Sequence, residues 1–109
     1  MKNMTQQRPS DDRLVIHADP DLADLIPGFL ENRRKDVTAM LAALDKGDLP
    51  TVRILGHSMK GAGGGYGFDA ITEIGGALEQ AANSADREEM RRQIGELSTY
   101  LDQVEVMYD

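Results

Sequence analysis

Met90–Tyr108 reads MRRQIGELSTYLDQVEVMY. Its apolar residues Met90, Ile94, Leu97, Leu101, Val104 and Tyr108 recur at spacings of 4, 3, 4, 3 and 4. That rhythm keeps them on one stripe of an α-helix. The spacing predicts one long amphipathic helix running to the end of the chain. Its start is marked upstream. Asn83–Ala85 is a break, and Asp86 with Glu89 three residues on resembles a capping arrangement.

The same rhythm recurs towards the N-terminus. Ile71, Ile74, Leu78 and Ala81 are spaced 3, 4 and 3, after Asp69 as a possible cap. Val52, Leu55, Met59 and Ala62 repeat 3, 4, 3 behind Asp48, with Pro50 in the first turn. The Gly-rich run Gly61–Gly67 ends that helix. Earlier still, Leu22, Leu25, Ile26, Phe29, Leu30, Val37, Met40, Leu41 and Leu44 keep helical spacing, and Lys46-Gly47 is a stop. Asp19-Pro20 is a start signal, while Pro27 must kink this helix or delay its start. Arg13–His17 (RLVIH) is too short for a helix and has no second strand pattern to pair with. It reads as an extended arm packed on the domain, and Met1–Ser10 as a disordered tail. The expectation is an all-α protein: an antiparallel up-down four-helix bundle over residues 19–109, with an N-terminal extension over 1–18.

Composition fits one small domain. The chain has 109 residues, no Cys and no Trp, and only two His. Disulfides and thiolate metal sites are excluded, and an all-protein zinc site is not expected. Net charge is −7, against binding to nucleic acid or an anionic membrane. No apolar run approaches a membrane span, and the polar N-terminus has no signal-peptide core, so a cytoplasmic location is expected. The charge is uneven: residues 31–60 carry six cations and four anions, whereas residues 61–109 carry three and ten.

His57 lies between the seam positions Leu55 and Met59, and helical geometry turns it towards solvent. Lys60, Gly61 and Gly64 share its face, with Arg53 one turn before. Glycine costs about 1 kcal/mol against Ala inside a helix. Gly61 therefore reads either as a loose helix end or as cleared space one turn above the imidazole. Lys60 reads either as a solvated surface cation or as a group that keeps the ring neutral and steadies an anion attached to it. The carboxylates read as solvated helix faces. His17, in the apolar arm, reads as structural.

Leu55-Gly56-His57-Ser58-Met59-Lys60-Gly61-Ala62-Gly63-Gly64-Gly65-Tyr66-Gly67-Phe68 resembles the signature of the histidine phosphotransfer (HPt) family. Leu25–Asp36 before it and Leu78–Ala82 after it extend the likeness across most of Asp19–Tyr108. The extra glycine at Gly63–Gly65 departs from the pattern and leaves the length of the second helix open. The resemblance implies a phosphorelay intermediate on a four-helix bundle. It implies His57 as phosphoacceptor, Lys60 as electrostatic assistant and Gly61 as the access residue. Arg53, Gly56 and Gly64 are expected at the docking face. The implied partners are response-regulator receiver domains, with a hybrid histidine kinase as a further candidate. No cofactor is expected in this chain, because Mg²⁺ comes with the receiver. With no ATP-binding motif, autonomous kinase activity is not expected.

A second reading, of a different class, is a non-catalytic helical adaptor that binds a partner through the basic, glycine-rich face. The exposed His57 beside Lys60 separates the two, since an adaptor needs no nucleophile there.

Overall fold

The computed structural model describes residues 13–109. The expected tail over Met1–Ser10 lies outside them. Four helices run α1 (Ile26–Lys46), α2 (Leu49–Ala62), α3 (Asp69–Asn83) and α4 (Arg87–Gln103). Each packs on its neighbours in sequence, and α1 closes the ring against α4. This is the up-down bundle that the periodicities predict.

The helix ends follow local chemistry. Asp19 accepts a hydrogen bond from Asp21 N, but only a short 3₁₀ turn, Pro20–Leu22, follows. The long helix starts at Ile26, with Pro27 in its first turn, where no backbone donor is needed. Pro27 delays the start and leaves no kink. Gly47 (φ 73°) closes α1 in the left-handed conformation, its N–H bonded to Ala43 O and Leu44 O. Asp48 accepts from Thr51 N at 3.2 Å, and Asp86 accepts from Glu89 N at 3.1 Å, capping α2 and α4. Asp69 is the first residue of α3; Phe68 holds the cap position.

Two expectations at the ends of the chain are corrected together. α4 stops at Gln103, and Val104–Tyr108 forms a strand, β2. The arm is also a strand, β1 (Leu14–Ala18), paired in parallel with β2 from Leu14↔Val104 to Ala18↔Tyr108. Alternation decides it: Ile16 and Ala18 of β1 and Val104 and Val106 of β2 turn to the core, while Val15, His17, Glu105 and Met107 turn outward. Arg13 reaches Glu105 at 3.3 Å, and His17 Nδ1 meets Asp109 at 2.5 Å. His17 is therefore a side chain of the sheet. The described part of the arm belongs to the same packed unit as the helices.

The core is mainly aliphatic, with Phe68 fully buried and stacked on Phe29. Val52, Met59, Ile71, Leu78, Met90, Ile94 and Leu97 are all fully buried. Leu25 and Leu41 keep the helical rhythm of α1 but are exposed.

α2 and α3 meet backbone to backbone. A Cβ on Gly56 would stand 2.9 Å from both Glu79 N and Gly75 O, and one on Gly75 would stand 2.5 Å from Lys60 N. Side chains at either position would force the helices apart. Gly56 is therefore buried beneath α3 and cannot serve the docking face expected of it. It sits four residues after Val52 and three before Met59, so its place is on the seam.

Candidate functional site

His57 stands near the middle of α2 with 66% of its side chain exposed. Its Nδ1 lies 2.9 Å from Glu79 Oε2, across the α2–α3 junction. The other carboxylate oxygen of Glu79 is 2.8 Å from Lys60 Nζ. One carboxylate thus contacts both His57 and Lys60 of α2. The close helix crossing makes this possible, because it brings the Glu79 backbone against Gly56.

A carboxylate only accepts hydrogen bonds, so His57 Nδ1 carries the hydrogen and donates it. In the neutral ring the lone pair is then on Nε2. The hydrogen bonds from Lys60, and next from His57, hold the Glu79 carboxyl below its ordinary range. Glu79 therefore remains an anion. The expected action of Lys60 on the ring changes with it: the ammonium is paired to a carboxylate that also contacts the imidazole, so it does not act alone.

Around the ring the surface is open. Gly61 is exposed, and a Cβ there would meet nothing within 4 Å. Gly64 is also exposed, in a 3₁₀ turn after α2, its N–H donating to Thr72 Oγ1 at 2.7 Å. Arg53 is exposed one turn before His57. Ile54, on the same outer surface three residues before His57, is 57% exposed. α2 ends at Ala62, which fixes the helix length that the glycine run left open.

The basic segment 31–60 is less free than its sequence implies. Arg33 is half-buried, paired with Asp36 at 2.9 Å and set over the Phe29 ring. Arg34 donates to Leu101 O at 3.1 Å. Among the described residues, Lys35, Lys46 and Arg53 form no ion pair. No helix among them is long and apolar enough to cross a membrane. Nor does any group of three or more His, Cys, Asp or Glu there stand ready to hold a metal ion.

A family model described as the Hpt domain matches residues 24–106. The chain belongs to the Hpt domain family. The match takes in all four helices of this Hpt domain and most of β2, and leaves β1 outside. No curated protein and no solved structure matches the chain. The general role of an Hpt domain is histidine phosphotransfer within a phosphorelay. In this Hpt domain Glu79 is the residue of the candidate site that sequence reasoning missed. It lies 22 residues from His57, and nothing in a helical wheel of α2 points to it.

Proposed function

We propose that this Hpt domain takes a phosphoryl group on His57 Nε2 from the phospho-aspartate of a receiver domain and passes it to an aspartate of another receiver. The observation that carries the reading is the exposed imidazole tied through Nδ1 to Glu79, which leaves the Nε2 lone pair towards solvent. Attack by that lone pair forms the N–P bond. The acyl-phosphate P–O bond breaks, and the receiver aspartate leaves as a carboxylate. The hydrogen stays on Nδ1, donated in a hydrogen bond to Glu79, whose negative charge balances the positive charge that the ring gains on attack. Return to a second aspartate reverses the same bonds.

Lys60 keeps Glu79 ionised and adds a cation beside the arriving phosphoryl oxygens. Gly61 gives the receiver room to approach. Ile54 offers an apolar contact at the centre of the docking face, while Arg53 and Gly64 flank it. A receiver pocket is acidic, so Arg53 favours encounter. Mg²⁺ would come with the partner's pocket and would supply further charge screening there, while Lys60 is the cation this chain itself brings to the phosphoryl group. A hybrid histidine kinase is the proposed upstream source, and the cytoplasm the compartment where these partners meet.

The test is transfer from isolated receiver domains phosphorylated with acetyl phosphate. Acid-labile, base-stable label should appear on this chain and be absent from His57→Gln. Label that persists on His57→Gln would overturn the assignment.

A further inference from the structure

Gly75 and Gly76 are adjacent in α3 but meet different parts of α2. A Cβ on Gly75 would run into the α2 backbone. A Cβ on Gly76 would meet the Lys60 side chain instead, 3.3 Å from Cδ and 3.8 Å from Cγ. Outside α3, nothing else among the described residues lies within 4 Å of it.

Gly76 sits in the middle of a helix of 15 residues, where glycine is a poor choice beside Ala. No turn demands it, because the glycines with positive φ are Gly47 and Gly67. Its missing Cβ leaves a bare shelf under the Lys60 stem. Glu79 stands three residues further along α3, on the same face. The stem crosses the shelf and brings Nζ within 2.8 Å of Glu79 Oε1, while Oε2 takes His57. A lysine loses rotamer freedom when it is held in one path. A shelf of fixed shape lets the stem pack while the ammonium stays in water, and 47% of the side chain is exposed.

We propose that Gly76 is a positioning residue: by lacking a Cβ it sets the path of the Lys60 stem, and through Lys60 it keeps the ammonium on Glu79 beside His57. Its consequence for transfer rests on the reading of His57 as phosphoacceptor. Its consequence for the Lys60–Glu79 pair does not.

The test separates the two. The hydrogen bond from Lys60 is the largest cause of the lowered Glu79 carboxyl, with His57 next. In ¹³C NMR of the chain labelled at glutamate Cδ, the Glu79 titration midpoint should therefore rise when the stem is displaced. Gly76→Val fills the shelf, because its branch is at Cβ itself. Gly76 opens on a surface cleft with Ala77, Gln80 and Asn83, so the added methyls leave the core alone. Val and Ala are both better helix formers than Gly, so the melting temperature should hold in Gly76→Val and Gly76→Ala. The Glu79 midpoint should rise in Gly76→Val towards that of Lys60→Ala, and by less in Gly76→Ala. On a Lys60→Ala background, Gly76→Val should add no shift.

Single-turnover transfer by Gly76→Val should fall towards the roughly tenfold loss expected of Lys60→Ala, with affinity for the receiver unchanged. A wild-type midpoint in Gly76→Val overturns the proposal, and so does a further shift on the Lys60→Ala background. A raised midpoint with wild-type transfer, or with a defect in receiver affinity alone, overturns the role in transfer. If the wild-type chain takes no phosphoryl group, the phosphoacceptor reading fails, and the midpoints still decide whether Gly76 places Lys60.

Discussion

Glu79 Oε2 stands 2.9 Å from His57 Nδ1, so a residue of α3 decides which ring nitrogen of α2 meets the solvent. Glu79→Ala should lose that choice. Transfer should slow roughly ten- to a hundredfold, the range expected for one charge-assisted contact. The ¹⁵N shifts of His57 should move towards the mixed tautomers of a free imidazole. Wild-type rates in Glu79→Ala would mean that the contact is incidental. The contact also sets a pH dependence. The folded carboxyl titrates below its ordinary value of 4.5, so its stabilisation is present above that pH and fades as pH falls through the lowered folded value. A gap in urea midpoint between wild type and Glu79→Gln at neutral pH should therefore narrow as pH falls below the ordinary carboxyl value and close once the lowered folded value is passed.

His57→Gln should abolish phosphoryl acceptance and leave the far-UV spectrum unchanged, because the side chain lies outside the core. His17→Gln should transfer at the wild-type rate. Its imidazole faces away from the bundle, paired with Asp109 at the strand ends. Loss of transfer in His17→Gln with normal folding would contradict this division.

Two glycines should respond oppositely. A Cβ at position 75 would lie 2.7 Å from Gly56 O, so Gly75→Ala must spread α2 from α3. About 1–3 kcal/mol of stability should go, as in overpacked cores. Transfer should fall too, because Glu79 retreats from His57. Gly61 faces open space, so Gly61→Ala should be tolerated. Gly61→Glu should block transfer with little change in melting temperature. A Gly61→Glu variant that transfers normally would show that the receiver does not approach over this residue.

Lys60 and Arg53 should separate chemistry from encounter. Lys60→Ala removes a cation that contacts Glu79 at 2.8 Å, and single-turnover rates should drop about tenfold or more at any ionic strength. Arg53 forms no ion pair among the described residues. Arg53→Ala should lower the association rate, with an effect that shrinks as salt rises. A salt-independent defect in Arg53→Ala would place receiver docking elsewhere.

The four helices were legible because each keeps its apolar residues at intervals of three and four and carries its own stop or cap. The strand pair was not. Val104 and Tyr108 are four residues apart, a spacing that keeps two side chains on one face of a helix and of a strand alike. The distinguishing signal was Val106, apolar and two residues from each, which makes β-branched or aromatic residues of every second position from Val104 to Tyr108. Missing β2 left β1 without a visible partner. At the site, His57, Lys60 and Gly61 were legible because one helical face collects them. Glu79 was not, because its contact depends on how closely two helices cross. The clue to that crossing was Gly56, whose spacing from Val52 and Met59 puts it on the buried seam.

The parallel pairing of β1 with β2 has a mechanical consequence. The chain enters the sheet at Leu14 and leaves it at Tyr108, and these lie at opposite ends of the ladder. Tension applied through residues 13 and 109 pulls the strands lengthwise past each other, so the cross-strand hydrogen bonds share the load simultaneously. An antiparallel hairpin pulled from its open end would instead unzip bond by bond. The two strands therefore clamp the bundle in shear. Single-molecule stretching between these positions should show one abrupt rupture before the helices extend, and a gradual low-force yield would contradict the clamp.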